Sequence, residues 1–263
     1  MNVQVRDVSA QAGPASAGPV LSVSGLTKGF AGNPVLWGLD FEVHAGVATA
    51  LIGANGSGKS TALKSLIRLI EPDGGRVELL GQEVTTLAPR ALRRFRSQVG
   101  MVWQKHNLVP RLSALTNVVH GVQARQSGPR TWFQSLAADA VRAKALSCLA
   151  RVGLADKALQ RVDCLSGGQQ QRVAIARMLM QRPALILADE PDASLDPQSG
   201  EEVMRLLANL ARQDGLTLLF ISHRMEHTLE FSDHILGLQK GRIAMDLPTA
   251  RTDAARLRRF FEE

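Results

Sequence analysis

Gly53-Ala54-Asn55-Gly56-Ser57-Gly58-Lys59-Ser60, with Thr61 next, is the stretch on which the fold turns. It satisfies G-x-x-x-x-G-K-[ST] in full. The apolar run Val47–Ile52 precedes it, and a helical stretch from Lys59 to Ile70 follows. In a strand, glycine-rich turn and helix of this kind, backbone N–H groups curl around a phosphate while the helix start adds its positive dipole end. Lys59 would reach the β- and γ-phosphates of a nucleotide, and the Ser60 hydroxyl would ligate Mg²⁺. Gly53, Asn55, Gly56, Ser57, Gly58, Lys59, Ser60 and Thr61 are therefore the candidate nucleotide-binding residues, with ATP and Mg²⁺ as the expected ligands.

Such a cradle needs a second, acidic half. Leu185-Ile186-Leu187-Ala188-Asp189-Glu190 is an apolar strand ending in two acids. Asp189, at the strand's carboxyl end, is placed to hold Mg²⁺, and Glu190 to polarise a water for attack on the γ-phosphate. An Asp-Glu pair alone is a weak signal; behind a complete phosphate loop it is the expected partner. From about Val20 onward, short β-rich runs alternate with helical patterns, which predicts an α/β domain with a largely parallel sheet. Glu71-Pro72-Asp73-Gly74-Gly75 closes the first helix, and Thr217–Ile221 is a further buried strand. Lys240-Gly241 joins Ile235–Leu238 to Arg242–Met245 in a hairpin. Between Gln104 and Asp163 helical periodicity takes over, with Leu136, Ala140, Val141, Ala145, Leu149 and Val152 on one face.

Bulk properties narrow the class. The 263 residues are 45% hydrophobic and 21% charged, as in a soluble globular protein. No run of about eighteen apolar residues exists to span a bilayer. Residues 1–19 carry neither a basic nor an apolar leader pattern and read as a flexible tail. Cys148 and Cys164 read as two buried or half-buried free thiols in a reducing compartment. The net charge of +7 is scattered, apart from Arg90, Arg93, Arg94 and Arg96, and Arg256, Arg258 and Arg259, which read as exposed helix faces. Scattered charge gives no reason to expect nucleic acid as a partner.

Leu165-Ser166-Gly167-Gly168-Gln169, just before the helical stretch Arg172–Arg177, resembles the signature of the ABC family of ATPases. Physically it is a second glycine-rich helix start, hence a second anion site. The resemblance spans about Leu21 to Leu247. It implies an α/β fold with a P-loop NTPase (RecA-like) core, an antiparallel β region and a helical subdomain inserted at about 105–165. An ABC ATPase domain would fill 20–247, with a C-terminal helical tail over 248–263. It also implies that Leu165, Ser166, Gly167, Gly168 and Gln169 act in trans, closing over the γ-phosphate held by a second ATPase subunit in a homodimer. Phe30 resembles the aromatic that stacks on adenine, usually a Tyr, a residue this chain lacks. Gln104 resembles the glutamine that touches Mg²⁺ and the water, Ser194-Leu195-Asp196 the D-loop, and His223 the switch histidine at the γ-phosphate.

Residues 104–118, 130–136 and 193–197 are similar to the phosphonate-importer ATPases. Asp192 and the run His223-Arg224-Met225-Glu226-His227 depart from that pattern. The resemblance implies import of a phosphonate or related phosphorus oxyanion through a separate transmembrane permease, fed by a periplasmic or lipid-anchored solute-binding protein. The subunit would then sit peripherally on the cytoplasmic face of the bacterial inner membrane. The alternative is the ATPase of another ABC system: a polar amino-acid importer, a lipoprotein-export complex or a cell-division complex. The permease would dock around Gln104–Leu115, where Leu108, Val109, Leu112 and Leu115 lie beside Lys105 and Arg111.

Overall fold

A computed structural model describes residues 18–125, 128 and 131–262. Most of the expected tail, residues 1–17, and Arg130 of the 130–136 segment lie outside it; Pro19 already opens the first strand. Strands β1 (Pro19–Phe30) and β2 (Asn33–His44) form an antiparallel hairpin, joined by β4 (Gly74–Leu79) and β5 (Gln82–Glu83) in the order β2-β1-β4-β5. In β2, Leu39, Phe41 and Val43 are buried in alternation, the pattern of a sheet with one covered face. A bulge beside Gly38 (φ 77°) shifts the register so that Leu36 also turns inward.

The second sheet has six strands in the order β10-β9-β3-β8-β7-β6. These are β3 (Ala48–Ile52), β6 (Val99–Trp103), β7 (Leu185–Asp189), β8 (Thr217–Ile221), β9 (His234–Gln239) and β10 (Arg242–Pro248). All neighbours pair in parallel except β9 and β10, which form the hairpin expected at Lys240-Gly241. Residues of β3, β7 and β8 are buried throughout, because both faces of the sheet are covered. Leu185, Leu187, Leu219 and Ile221 face one core, with the antiparallel sheet, α1 (Lys59–Ser65) and α2 (Pro89–Arg96). Ile186, Ala188, Leu218 and Phe220 face the other, with α5 (Gly167–Met180) and α6 (Pro197–Asp214). That second core continues into α3 (Ala114–Val119) and α4 (Asp139–Arg151), the helical region between β6 and β7. Beyond β8 come α7 (Met225–Phe231) and α8 (Ala254–Glu262), the latter burying Leu257.

Four expectations are corrected. The first helix stops at Ser65, short of Ile70, because Arg68 turns left-handed (φ 52°) and arginines take up carbonyls at this helix end and turn. Arg96 Nε donates to the Ile67 carbonyl at 2.8 Å and its Nη2 to the Arg68 carbonyl at 2.5 Å, so Arg96 is half-buried while Arg90, Arg93 and Arg94 stay exposed. Leu136 and Ala140 are exposed: α4 begins only at Asp139, and it buries Ala145, Cys148 and Leu149. Cys148 is buried as expected, its thiol pushed above the ordinary range by desolvation, but Cys164 is exposed. The second basic cluster, Arg256, Arg258 and Arg259, is exposed on α8.

Candidate functional site

Backbone crowding explains the glycines of the loop after β3. At Gly53 (φ 150°) a Cβ would lie 2.1 Å from the Leu238 carbonyl oxygen of β9. At Gly58 (φ 105°) it would lie 2.9 Å from Leu36 Cδ2. The loop is thus pressed between β9 and the β2 hairpin ahead of α1, and Ser57 N donates to the Ala54 carbonyl at 3.2 Å within it. Lys59 is buried at 4% exposure and donates to the carbonyls of Gly53 (2.8 Å) and Ala54 (2.9 Å). Burial draws its pKa below the ordinary lysine value, while the charges of Glu190 and Asp189 oppose that shift. Ser57 Oγ is buried with no hydrogen-bond partner among the described residues. At Gly56 (φ 78°) the backbone is open to solvent, with nothing within 4 Å of a Cβ position. An unused hydroxyl, a caged cation and a glycine rim fit a phosphate chain.

Parallel register gathers the remaining groups. Trp103 of β6, Asp189 of β7 and Ile221 of β8 lie side by side, so Gln104, Glu190 and His223 emerge at one carboxyl edge, where open α/β sheets bind ligands. Ser60 Oγ donates to Asp189 Oδ1 at 2.7 Å, tying the phosphate loop to β7. Serine hydroxyl, aspartate carboxylate and the exposed Gln104 amide make an all-oxygen donor set, suited to a hard cation. Glu190 stands in a left-handed conformation (φ 49°), and its Oε1 lies 2.6 Å from His223 Nε2. A glutamate held at the strand's end beside an imidazole can accept a water's proton.

Two further expected groups lie together. Ser166 caps α5: its Oγ accepts from Gln169 N at 3.3 Å, and Gln169 Oε1 accepts from Ser166 N at 3.1 Å, a reciprocal capping box. Leu165 is buried, whereas Ser166 and Gly167 face outward. A Cβ on Gly167 would lie 3.2 Å from Leu195 Cδ2, and one on Gly168 3.2 Å from Ser199 Cβ, so the 165–169 turn leans on the 194–196 turn. Asp196 caps α6, its Oδ1 accepting from Ser199 N at 3.0 Å, which holds its carboxyl below the usual carboxylate range. No hydrogen bond or ion pair among the described residues joins 165–169 to the phosphate loop. Phe30 stands 46% exposed at the tip of the β1–β2 hairpin, with Lys28 Nζ 5.4 Å from its ring centroid.

Sequence reasoning missed Lys64, Gln171 and Arg177. Lys64 Nζ lies 3.2 Å from Asp189 Oδ2 and 5.8 Å from the Trp103 ring. Gln171 Nε2 donates to the Trp103 carbonyl at 3.3 Å. Arg177 donates to the carbonyls of His106 (3.0 Å) and Asn107 (2.6 Å), anchoring the segment after Gln104 to α5. No local pattern distinguishes these residues from ordinary helix-surface groups; only the three-dimensional placement does.

Against known proteins, the profile described as ABC transporter matches residues 36–193. The phosphonates import ATP-binding protein PhnC of Stutzerimonas stutzeri is 46% identical over 237 residues, covering 88% of this chain and 85% of the relative. The phosphite import ATP-binding protein PxtA of the same organism is 47% identical over 217 residues, covering 82% and 77%. Among solved structures, the ATP-binding cassette MJ0796, a dimer in a post-hydrolysis state bound to ADP and Pi, superposes with a TM-score of 0.75 at 31% identity, covering 87% of this chain and 98% of that one.

Proposed function

The chain belongs to the ABC transporter family, and on that premise we propose that it is the ATP-binding and ATP-hydrolysing subunit of an importer for a phosphonate or a related phosphorus oxyanion. The observation that carries the enzymatic part is the junction at the carboxyl edge of β7, where Ser60 meets Asp189 and Glu190 meets His223. The cargo rests on the printed names of relatives 46% and 47% identical over most of the chain.

Lys59 neutralises charge on the transferred phosphoryl group, and the loop amides hold the β-phosphate. Mg²⁺, when bound, would offset charge on the phosphate oxygens, held by Ser60 and Asp189 with Gln104 at the edge. Glu190 accepts the attacking water's proton, and His223 orients that carboxylate and contacts the γ-phosphate. Phe30 stacks on the base. The exposed capped turn Ser166-Gly167-Gly168-Gln169 serves the site of a second copy, since nothing ties it to its own phosphate loop; the dimeric state of the MJ0796 cassette supports this. No helix among the described residues is long and apolar enough to cross a membrane. By likeness to the import ATP-binding relatives, the membrane path belongs to a separate permease, with this subunit peripheral on the cytoplasmic face and a solute-binding protein on the far side.

Complementation tests the proposal. A bacterium lacking its phosphonate-import ATPase but keeping the permease and binding protein of that system, supplied with this chain, should grow on a phosphonate or phosphite as sole phosphorus source. Active ATPase without growth on either source would overturn the cargo. Absence of ATP hydrolysis by the assembled complex would overturn the enzyme.

A further inference from the structure

The two places where the sequence departs from the phosphonate-importer pattern meet inside the molecule. Asp192 Oδ2 lies 3.0 Å from His227 Nδ1, with the side chains only 6% and 4% exposed. Arg224 Nε lies 3.8 Å from the same oxygen. Asp192 follows Glu190 by two residues, and its carbonyl accepts from Leu195 N at 3.1 Å in the turn leading to Asp196. His227 sits near the start of α7, four residues beyond His223. The segments carrying Glu190 and His223 are therefore bridged twice, once at the rim by those residues and once in the interior.

Packing leaves this inner bridge little freedom. The His227 ring packs on Phe231 at 5.6 Å between centroids, and Arg205 covers the Phe231 ring at 5.9 Å. A Cβ on Gly200 would lie 3.3 Å from Asp192 Cβ, so α6 closes the other side. His227 Nδ1 has no well-directed hydrogen bond in spite of the 3.0 Å separation, so the contact is an oblique, electrostatic one. Buried acid–base pairs of this sort add little stability over apolar residues of the same volume, because both groups lose their water. What such a pair supplies is placement, since opposite partial charges in a dry interior resist sliding in a way that an apolar contact does not.

We propose that Asp192 and His227, flanked by Arg224, are positioning residues for ATP hydrolysis: their contact sets where the Glu190 carboxylate stands relative to His223. The proposal rests on the ATPase reading above. Both side chains are buried, so their removal should slow the chemical step while leaving nucleotide binding alone.

The test uses the full chain and four variants. His227→Phe keeps an aromatic ring packed on Phe231, at a somewhat larger volume, while losing Nδ1, and its melting temperature reports that it folds. It and Asp192→Ala should each lower kcat about tenfold with KM for ATP within about twofold. The double variant should be as slow as either single one, although its melting temperature recovers because no polar group is left buried without its partner. His227→Asn, whose amide can donate from near the Nδ1 position, should retain kcat within about threefold. Unchanged kcat in folded His227→Phe would overturn the proposal. So would a kcat that follows melting temperature through the whole set and recovers in the double variant. An inactive wild-type chain would instead remove the ATPase reading on which the pair depends.

Discussion

Glu190 Oε1 and His223 Nε2 stand 2.6 Å apart at the ends of neighbouring parallel strands, with Glu190 in a left-handed backbone conformation. The geometry holds a carboxylate at the rim without burying it. Glu190→Gln keeps the shape and loses the base, so ATP binding should persist while hydrolysis falls by about a hundred- to ten-thousandfold. Size-exclusion chromatography with Mg²⁺ and ATP should then show a shift from monomer to dimer. A variant that stays monomeric at saturating ATP would count against a site shared between two copies.

Lys59→Ala removes the one cation caged by the loop. Hydrolysis should be nearly abolished, at least about a hundredfold down, because charge on the transferred group goes unneutralised. The measurement is phosphate release at saturating ATP; turnover close to that of the parent protein would dismiss the loop's assignment.

Gly53→Ala tests the crowding behind the loop. The new methyl would meet the Leu238 carbonyl oxygen at 2.1 Å in a backbone conformation that alanine rarely adopts. Overpacking and strain together cost about 2–6 kcal/mol, which corresponds to a drop of at least about 4 °C in melting temperature for a domain of this size. A thermal melt within about 2 °C of the parent would mean that β9 yields easily.

The proposed permease surface divides on structural grounds. Leu108 is half-buried against the second core and Leu115 is buried, whereas Val109 is exposed and Arg111 with it. A charge at Leu108 therefore disturbs folding as well as docking. Leu108→Glu should lower the melting temperature, since it puts an unpaired charge against apolar side chains. Val109→Glu should melt normally, keep basal hydrolysis and lose capture by the permease in a pull-down. Normal capture by that variant would take Val109 out of the interface.

Legibility in the sequence followed the range of the forces involved. The phosphate loop, the strand ending in Asp189-Glu190 and the β9–β10 hairpin were readable because each is a local pattern of period and turn chemistry. The stop of α1 at Ser65 was not, because it depends on Arg96, about thirty residues away, reaching back to the carbonyls of Ile67 and Arg68. Leu136 misled for a related reason: its spacing matches a helix face, but α4 has not yet begun there. At the site, Lys64 and Arg177 were invisible because their roles arise from tertiary neighbours, Asp189 in one case and the carbonyls of His106 and Asn107 in the other. In the sequence Asp192 and His227 are separate departures from the phosphonate-importer pattern, and only the fold joins them into one feature.

Lys59 held by the carbonyls of Gly53 and Ala54 has a thermodynamic consequence for the incoming ligand. A free lysine side chain samples many rotamers, and ordering one on binding costs about 0.5–1.5 kcal/mol. Here that ordering is complete when the chain folds, so the ligand exchanges two carbonyl contacts for phosphate oxygens without immobilising anything new. The saving corresponds to roughly two- to tenfold in Kd. It should show in calorimetry as a smaller entropic penalty for the triphosphate than a flexible cationic loop would impose.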